Sequence, residues 1–241
     1  MFKTCREAQF ISNSPYIQEN VLKRWGMDTP IVPNAVNSAF IHEPRQYPKS
    51  NSPVIVSIAQ RPDPWKNIEK LLEAFKIIQQ RFPDAKLKLI GGGFVSDSTF
   101  YSEMKSRNLT DNVEFSGHYK TEELVEELKH AHLMIHPSLE ESFGISFIEA
   151  MASGLPVIGG DSSGAVPWVL NYGKAGTLCD VTNAVDIAEK SIELLCSKDK
   201  WECFSREGFQ HVIDNFTVES VAEQTLAIYE QKRLSNSRQE V

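Results

Sequence analysis

From residue 53 onward, short aliphatic runs alternate with stretches whose apolar residues recur at helical spacing. Val54 to Ala59 is such a run and reads as a strand. Residues 66–81 place Ile68, Leu71, Leu72, Phe75 and Ile78 on one helical face, and Pro83 ends that helix. A strand over Lys86–Ile90 then runs into Gly91, Gly92 and Gly93. The rhythm continues with a helix over 98–107, strand 112–116, helix 121–130, strand 132–136, helix 143–153 and strand 156–159. A short helix near 165–171, a strand near 175–179, and helices over 183–197, 200–214 and 217–232 complete it. About six strands separated by helices predict an α/β fold, a doubly wound, Rossmann-like parallel sheet. Such sheets take ligands beyond the carboxyl ends of their strands, so the loops after residues 59, 90, 116, 136 and 159 are where chemistry is expected.

The first 50 residues have a different texture. Phe10–Asn13 reads as a strand and Pro15–Trp25 as a helix. An aperiodic stretch carrying Pro30, Pro33, Pro44, Pro48 and Pro53 follows and reads as a linker. A lone βα unit has nothing to bury its apolar face against. The expected division is therefore residues 1–50 as a remnant βα unit plus linker, and residues 51–241 as the domain proper.

Composition narrows the classes. With 241 residues, 41% hydrophobic and 24% charged, the chain can bury a substantial core. A net charge of −7, with no Lys/Arg stripe interleaved with aromatics, argues against a nucleic-acid partner. No run approaches the roughly 20 apolar residues of a membrane span, and the N-terminus lacks the apolar core of a signal peptide, so the expected compartment is the cytoplasm. Cys5, Cys179, Cys196 and Cys203 form no CxxC pair and read as reduced thiols. His132 and His136 fall on one expected strand, about 13 Å apart, too far to share a zinc ion. With His130 they read as core or surface histidines, and no metal or cofactor is expected.

Four features carry candidate chemistry. Glu149 lies on an otherwise apolar helix with Ile145 and Ala152 on its face, where an unpaired carboxylate is costly. It is expected either to reach a distant Lys or Arg or to accept hydrogen bonds from a ligand such as a ribose diol. Glu141 stands just before that helix, and Ser142, Phe143, Gly144 and Ile145 bring the free N–H groups of a first turn, an anion site suited to a diphosphate. Arg61 and Lys66 flank a proline-rich turn after the first strand and could neutralise such an anion. Gly91, Gly92 and Gly93 imitate a dinucleotide fingerprint, but Ser96 stands at its third glycine and Glu114 lies inside a strand, so they are read as a close backbone approach to another ligand or a tight turn.

These residues resemble glycosyltransferase family four, the retaining two-domain GT-B enzymes that move a sugar from a nucleotide donor. The resemblance rests on an E-x7-E motif followed by EAMA-x-G-x-PVI, matched by Glu141, Ser142, Phe143, Gly144, Glu149, Ala150, Met151, Ala152, Gly154, Pro156, Val157 and Ile158. PNAVNSAF, LIGGG, VEFSGH and IHPSLEESFG occupy the expected places. The resemblance implies that Glu149 holds the ribose hydroxyls and Glu141 faces the donor sugar. It implies that the N–H groups of residues 143–145 hold sugar and phosphate, that Arg61 and Lys66 bind the diphosphate, and that Gly117 and His118 line the base pocket. It also implies a substrate that is a nucleoside-diphosphate sugar and a glycan, lipid or small-molecule acceptor.

Two departures stand out. Trp168, in SGAVPWVL, occupies a position that is acidic in many relatives. Of the family's N-terminal acceptor domain, only residues 9–25 have a counterpart, and the catalytic histidine and Gly-rich loop of that domain have none. The chain is thus read as the donor-binding half of a retaining glycosyltransferase. The alternatives are a truncated or split donor-binding module without independent catalysis, awaiting a separate acceptor chain or forming a homodimer, and a non-hydrolysing sugar-nucleotide epimerase. Any peripheral membrane association is expected in the N-terminal half.

Overall fold

The computed structural model describes residues 10–237, with side chains described through residue 233. Its centre is a six-stranded, wholly parallel sheet: β1 (Val54–Ile58), β2 (Lys86–Ile90), β3 (Val113–Gly117), β4 (Leu133–His136), β5 (Val157–Gly160) and β6 (Thr177–Cys179). The strand order is β3-β2-β1-β4-β5-β6, so the winding direction reverses between β1 and β4. The crevice at such a reversal is where this architecture binds ligands.

Strands buried on both faces explain the continuous aliphatic runs. In β1, Ile55 belongs to the core on one face and its neighbour Val56 to the core on the other. The first core joins Leu87, Leu89 and Ile135 to α2 (Ile68–Arg81) and α7 (Ala184–Cys196). The second joins Met134 and Val157 to α4 (Thr121–His130), α5 (Ile145–Ala152) and α6 (Val166–Val169). Each fully buried aliphatic side chain contributes about 1.5–3 kcal/mol. The remaining helices are α1 (Pro15–Trp25), α3 (Thr99–Ser106), α8 (Lys198–Asn215) and α9 (Val218–Ser237).

Three sequence expectations need correction. The helix expected from residue 66 starts at Ile68, because Asn67 adopts the left-handed conformation (φ 52°) and leaves Lys66 in a 3₁₀ turn over Pro64–Lys66. The helix expected from residue 143 starts at Ile145, because Gly144 is left-handed (φ 95°). At the N-terminus the strand expected over Phe10–Asn13 reduces to one bridge between Ser12 and Ile31, since among the described residues no further strand lies beside it.

The proline-rich segment has little regular structure and is strapped to the sheet domain. Val36 N–H donates to the Phe216 carbonyl at 2.7 Å and His42 N–H to the Ala152 carbonyl at 3.0 Å. The Arg45 guanidinium donates to the carbonyls of Leu128 and Ala131 at 3.0 and 2.9 Å, satisfying the open end of α4. Helix α1 buries none of its residues and leaves Leu22 and Trp25 exposed. It is attached through polar contacts: Ser14 Oγ donates to the Ser142 carbonyl at 2.6 Å and Tyr16 Oη to Glu140 at 2.6 Å.

Of the cysteines, Cys179, Cys196 and Cys203 are free thiols, while Cys5 lies outside the described residues. Among the described residues no helix is long and apolar enough to cross a membrane.

Candidate active site

Lys66 follows β1 and Glu141 follows β4, and the structure joins them across the reversal point of the sheet. Lys66 Nζ lies 2.5 Å from Glu141 Oε1. Asn67 fixes the turn that presents Lys66: its side-chain amide donates to the carbonyls of Pro137 and Val181 at 3.2 and 2.7 Å, tying the loops after β1, β4 and β6 together. Leu139 N–H donates to the Trp65 carbonyl at 2.8 Å and adds a second tie.

His136, at the end of β4, places Nε2 2.8 Å from the same Glu141 oxygen. Ser138 Oγ lies 2.9 Å from that nitrogen. The imidazole is 2% exposed and packs edge-on against Phe147 at 5.3 Å. Nε2 faces a carboxylate and carries its hydrogen, while Nδ1 is buried without a partner. Burial alone raises the Glu141 carboxyl. The hydrogen bond and charge of His136, with the bonds from Lys66 and Ser138, outweigh that and bring it down to about 2. Glu141 is therefore an anion whose Oε1 is held by Lys66 and His136, while Oε2 has no hydrogen-bond partner among the described residues.

Glu149 is the opposite case. Among the described residues its carboxylate makes no hydrogen bond or ion pair, so the distant Lys or Arg weighed from the sequence is not there. Desolvation pushes the group up to about 7. Its helical face is apolar but only partly buried, since Ile145 is 47% exposed whereas Ala152 is fully buried.

Between the two carboxylates lies the N-terminus of α5. Among the described residues no acceptor claims the N–H groups of Phe143, Gly144, Ile145 and Ser146. The turn requires glycine: a Cβ on Gly144 would sit 2.8 Å from the Phe147 ring, at a φ that L-residues rarely adopt. A left-handed residue followed by a helix start makes a concave set of donors for an anion. Phe143 contributes only backbone there, because its ring is 1% exposed and packs against Trp168 and Phe216. Trp168 thus completes an aromatic cluster with Phe143 and Phe216.

The other predicted residues are assembled less tightly. Gly91 N–H donates to the Gly117 carbonyl at 2.7 Å, and a Cβ on Gly93 would meet Arg61 Cα and Cγ at 2.9 Å, so the loops after β1, β2 and β3 converge. Gly92 is exposed at that junction. The Arg61 side chain is 67% exposed, with Asp63 3.8 Å away, and shares no contact with Lys66 or Glu141. His118 is exposed beyond β3. Ser142 is exposed and its carbonyl is held by Ser14.

Asn67, His136 and Ser138 belong to the site but were not singled out for it from the sequence. The available signal was position: His136 and Ser138 bracket the end of β4, one of the loops where chemistry was expected. Histidine 132, by contrast, is structural, accepting the Val54 N–H at 3.1 Å. Among the described residues no group of three or more His, Cys, Asp or Glu could hold a metal ion.

A doubly wound parallel sheet, with Lys66 and Glu141 paired at its reversal point beside an open helix N-terminus, defines an α/β domain of the kind that takes ligands at that crevice. Residues 40–211 match the model of the family "Glycosyl transferases group 1", and the chain belongs to that family. It is 33% identical over 165 residues to N-acetyl-alpha-D-glucosaminyl L-malate synthase of Bacillus anthracis, covering 68% of this chain and 42% of that protein. Sucrose-phosphate synthase from Thermosynechococcus elongatus superposes with a TM-score of 0.76 and 27% identity over 93% of this chain and 58% of that one. Anabaena HepE, solved in complex with UDP-glucose, shares the fold with a TM-score of 0.77 and 20% identity over 92% of this chain and 64% of that one. The chain therefore spans less than two thirds of the length of each of these relatives.

Proposed function

We propose that the chain is the donor-binding domain of a retaining glycosyltransferase that uses a nucleoside-diphosphate sugar. In this reading the diphosphate rests on the N–H groups of residues 143–146, with Lys66 and Arg61 contributing positive charge. Glu149 accepts the ribose hydroxyls, Glu141 offers Oε2 to a sugar hydroxyl, and Gly92, Gly117 and His118 border the base. The observation that carries it is Glu149, a largely buried carboxylate without a partner among the described residues, about one turn along α5 from four N–H groups that none of those residues claims. Family membership supports the reading, as does the UDP-glucose bound to the similarly folded HepE.

The chemistry follows from where charge develops. The bond between sugar C1 and the β-phosphate oxygen breaks, negative charge builds on that oxygen, and prearranged N–H groups and cations stabilise it. An acceptor hydroxyl attacks C1 and its proton passes to the departing phosphate oxygen. Glu141, held low by Lys66 and His136, is a poor acceptor for that proton at neutral pH, which supports the departing phosphate oxygen in that role.

Calorimetry with UDP-, GDP- and ADP-sugars tests donor binding, and a folded sample that binds none of them overturns it. Turnover by the chain alone and with candidate acceptor-domain chains separates a self-sufficient enzyme from a donor module. NMR of the product tests retention: an inverted anomer refutes it, and a free epimerised nucleotide sugar would make the protein an epimerase.

A further inference from the structure

We propose that Ser14 is a positioning residue for the donor site: from the start of α1 it fixes the Ser142–Phe143 peptide plane and so aims the Phe143 N–H into the anion-binding turn. This rests on the donor reading above. Ser14 is the cap residue of α1, is fully buried, and stands 128 positions from the loop residue it touches. Its hydroxyl is engaged twice. Oγ accepts the Ile17 N–H at 3.3 Å, which caps α1, and donates its single hydrogen to the Ser142 carbonyl at 2.6 Å.

The peptide bonds among the described residues are all trans, so the C=O and N–H of one unit point in opposite directions within one plane. A bond that draws the Ser142 carbonyl toward α1 therefore turns the Phe143 N–H to the opposite side, where none of the described residues claims it. That N–H is the first of the four open donors. The preceding unit is set in the same manner from the sheet domain, where Ala165 N–H donates to the Glu141 carbonyl at 2.9 Å. Two consecutive peptide planes thus enter the turn pinned, one by the loop after β5 and one by α1. Ser142 and Phe143 belong to neither a strand nor a helix, so without the Ser14 hydroxyl their peptide unit is free to rotate and face a phosphate with its carbonyl.

Ser14 is itself held in place. Ser12 N–H donates to the Pro30 carbonyl and Val32 N–H to the Ser12 carbonyl, both at 2.9 Å, and Ser12 Oγ lies 2.6 Å from Thr29 Oγ1. Two residues past Ser14, Tyr16 grips the same loop. Its Oη donates to Glu140 at 2.6 Å, and its ring lies 3.2 Å from the point that a Cβ on Gly164 would occupy. Gly164 is in turn the residue bridged to Glu141. The first turn of α1 is thus seated across residues 140–142, the segment that carries Glu141 and leads into the open donors.

Calorimetry and NMR of the 241-residue chain with UDP, GDP and ADP test this. Ser14→Ala is expected to weaken whichever nucleotide binds about fivefold, the effect of one lost hydrogen bond. In the free chain the same variant should change the residual dipolar coupling of the Phe143 N–H, because that bond vector reorients. Ser14→Thr keeps the hydroxyl and should bind within about twofold of wild type, with the wild-type coupling. Lys23→Gly loosens α1 at an exposed position paired only with Glu19 among the described residues, and should leave nucleotide affinity unchanged. The proposal fails if Ser14→Ala binds as wild type or keeps the wild-type Phe143 coupling. It fails also if Lys23→Gly weakens binding as much as Ser14→Ala, since the effect would then belong to the order of α1. If Ser14→Thr does not fold, the contrast between Ser14→Ala and Lys23→Gly decides. A folded wild-type chain that binds none of the nucleotides overturns the donor reading, and the Phe143 coupling in Ser14→Ala then judges the positioning role alone.

Discussion

Glu141 and Glu149 stand on either side of the α5 N-terminus, both largely withdrawn from water, and burial pushes both carboxyls upward. One ends near 2 and the other near 7. Partners make the difference: Lys66 and His136 converge on Glu141, while none of the described residues reaches the Glu149 carboxylate. Compensation for the first charge is built into the fold, at the junction of β1 and β4. For the second, the described residues supply none, and on the proposed reading a ligand does. In that reading Glu141 is framework and Glu149 receptor, and each can be challenged separately.

The largest effect is expected at the framework. Lys66→Met leaves Glu141 withdrawn from solvent with His136 and Ser138 alone. Breaking a buried pair costs about 3–5 kcal/mol, and the partial exposure of Lys66 reduces this to about 2–3 kcal/mol in urea unfolding. Removing both charges, as in Lys66→Met with Glu141→Leu, should recover much of that stability but not donor binding. A single Lys66→Met variant as stable as wild type breaks the comparison, because Glu141 would then need no built-in partner.

At the receptor the signs reverse. Glu149→Gln is expected to reduce donor affinity about thirtyfold, the loss of a charged hydrogen bond of about 2 kcal/mol, while raising the unliganded domain's stability at pH 8 by about 1 kcal/mol. The pH dependence follows. A carboxyl raised to about 7 binds more protons folded than unfolded between its ordinary value and 7, so the unliganded stability falls as pH rises through that window and levels off above it. Ribose hydroxyls donate to the anion, so donor affinity should rise with pH over the same range. Glu149→Gln should flatten both curves, as read by thermal unfolding and calorimetry. Affinity independent of pH in the wild type would detach Glu149 from the ligand.

Between the two carboxylates, Gly144→Ala probes the turn that separates them. The strained φ and the close Phe147 ring predict a cost of about 1.5 kcal/mol and a weaker hold on diphosphate, measured by unfolding and UDP calorimetry.

The sheet was legible because parallel strands buried on both faces write themselves as aliphatic runs, and Glu149 was legible because a carboxylate on an apolar helix is a local anomaly. Helix starts were misplaced at the two points where a single left-handed residue, Asn67 or Gly144, interrupts a pattern that periodicity alone continues. The partners of Glu141 were only half visible. Lys66 was chosen for its charge beside a phosphate, yet its contact with Glu141 spans 75 positions and depends on the order of β1 and β4. The spacing of His132 and His136 rules out a shared metal but says nothing about a carboxylate five residues on, which is the partner His136 has. The strapping of residues 32–48 was hidden for the same reason: its bonds run from an aperiodic segment to helix ends far along the chain.

His136 gives the smallest and most discriminating effect. His136→Phe keeps an aromatic ring for Phe147 and removes the unsatisfied Nδ1, but it takes one of two donors from Glu141 Oε1. Loss of the bond and relief of the orphaned nitrogen oppose each other, so the net cost at neutral pH should be about 1 kcal/mol or less. The clearer readout lies in acid. A carboxyl depressed to about 2 contributes stability that is present above its ordinary value and lost as pH falls toward 2. With His136 gone the depression shrinks, less stability is held above that window, and the acid-unfolding midpoint should move to higher pH. Glu141→Gln should show a similarly weakened low-pH dependence, whereas Glu149→Gln should leave it in place. An unchanged acid midpoint in His136→Phe would assign the fixed charge of Glu141 to Lys66 alone and reduce the framework to a single pair.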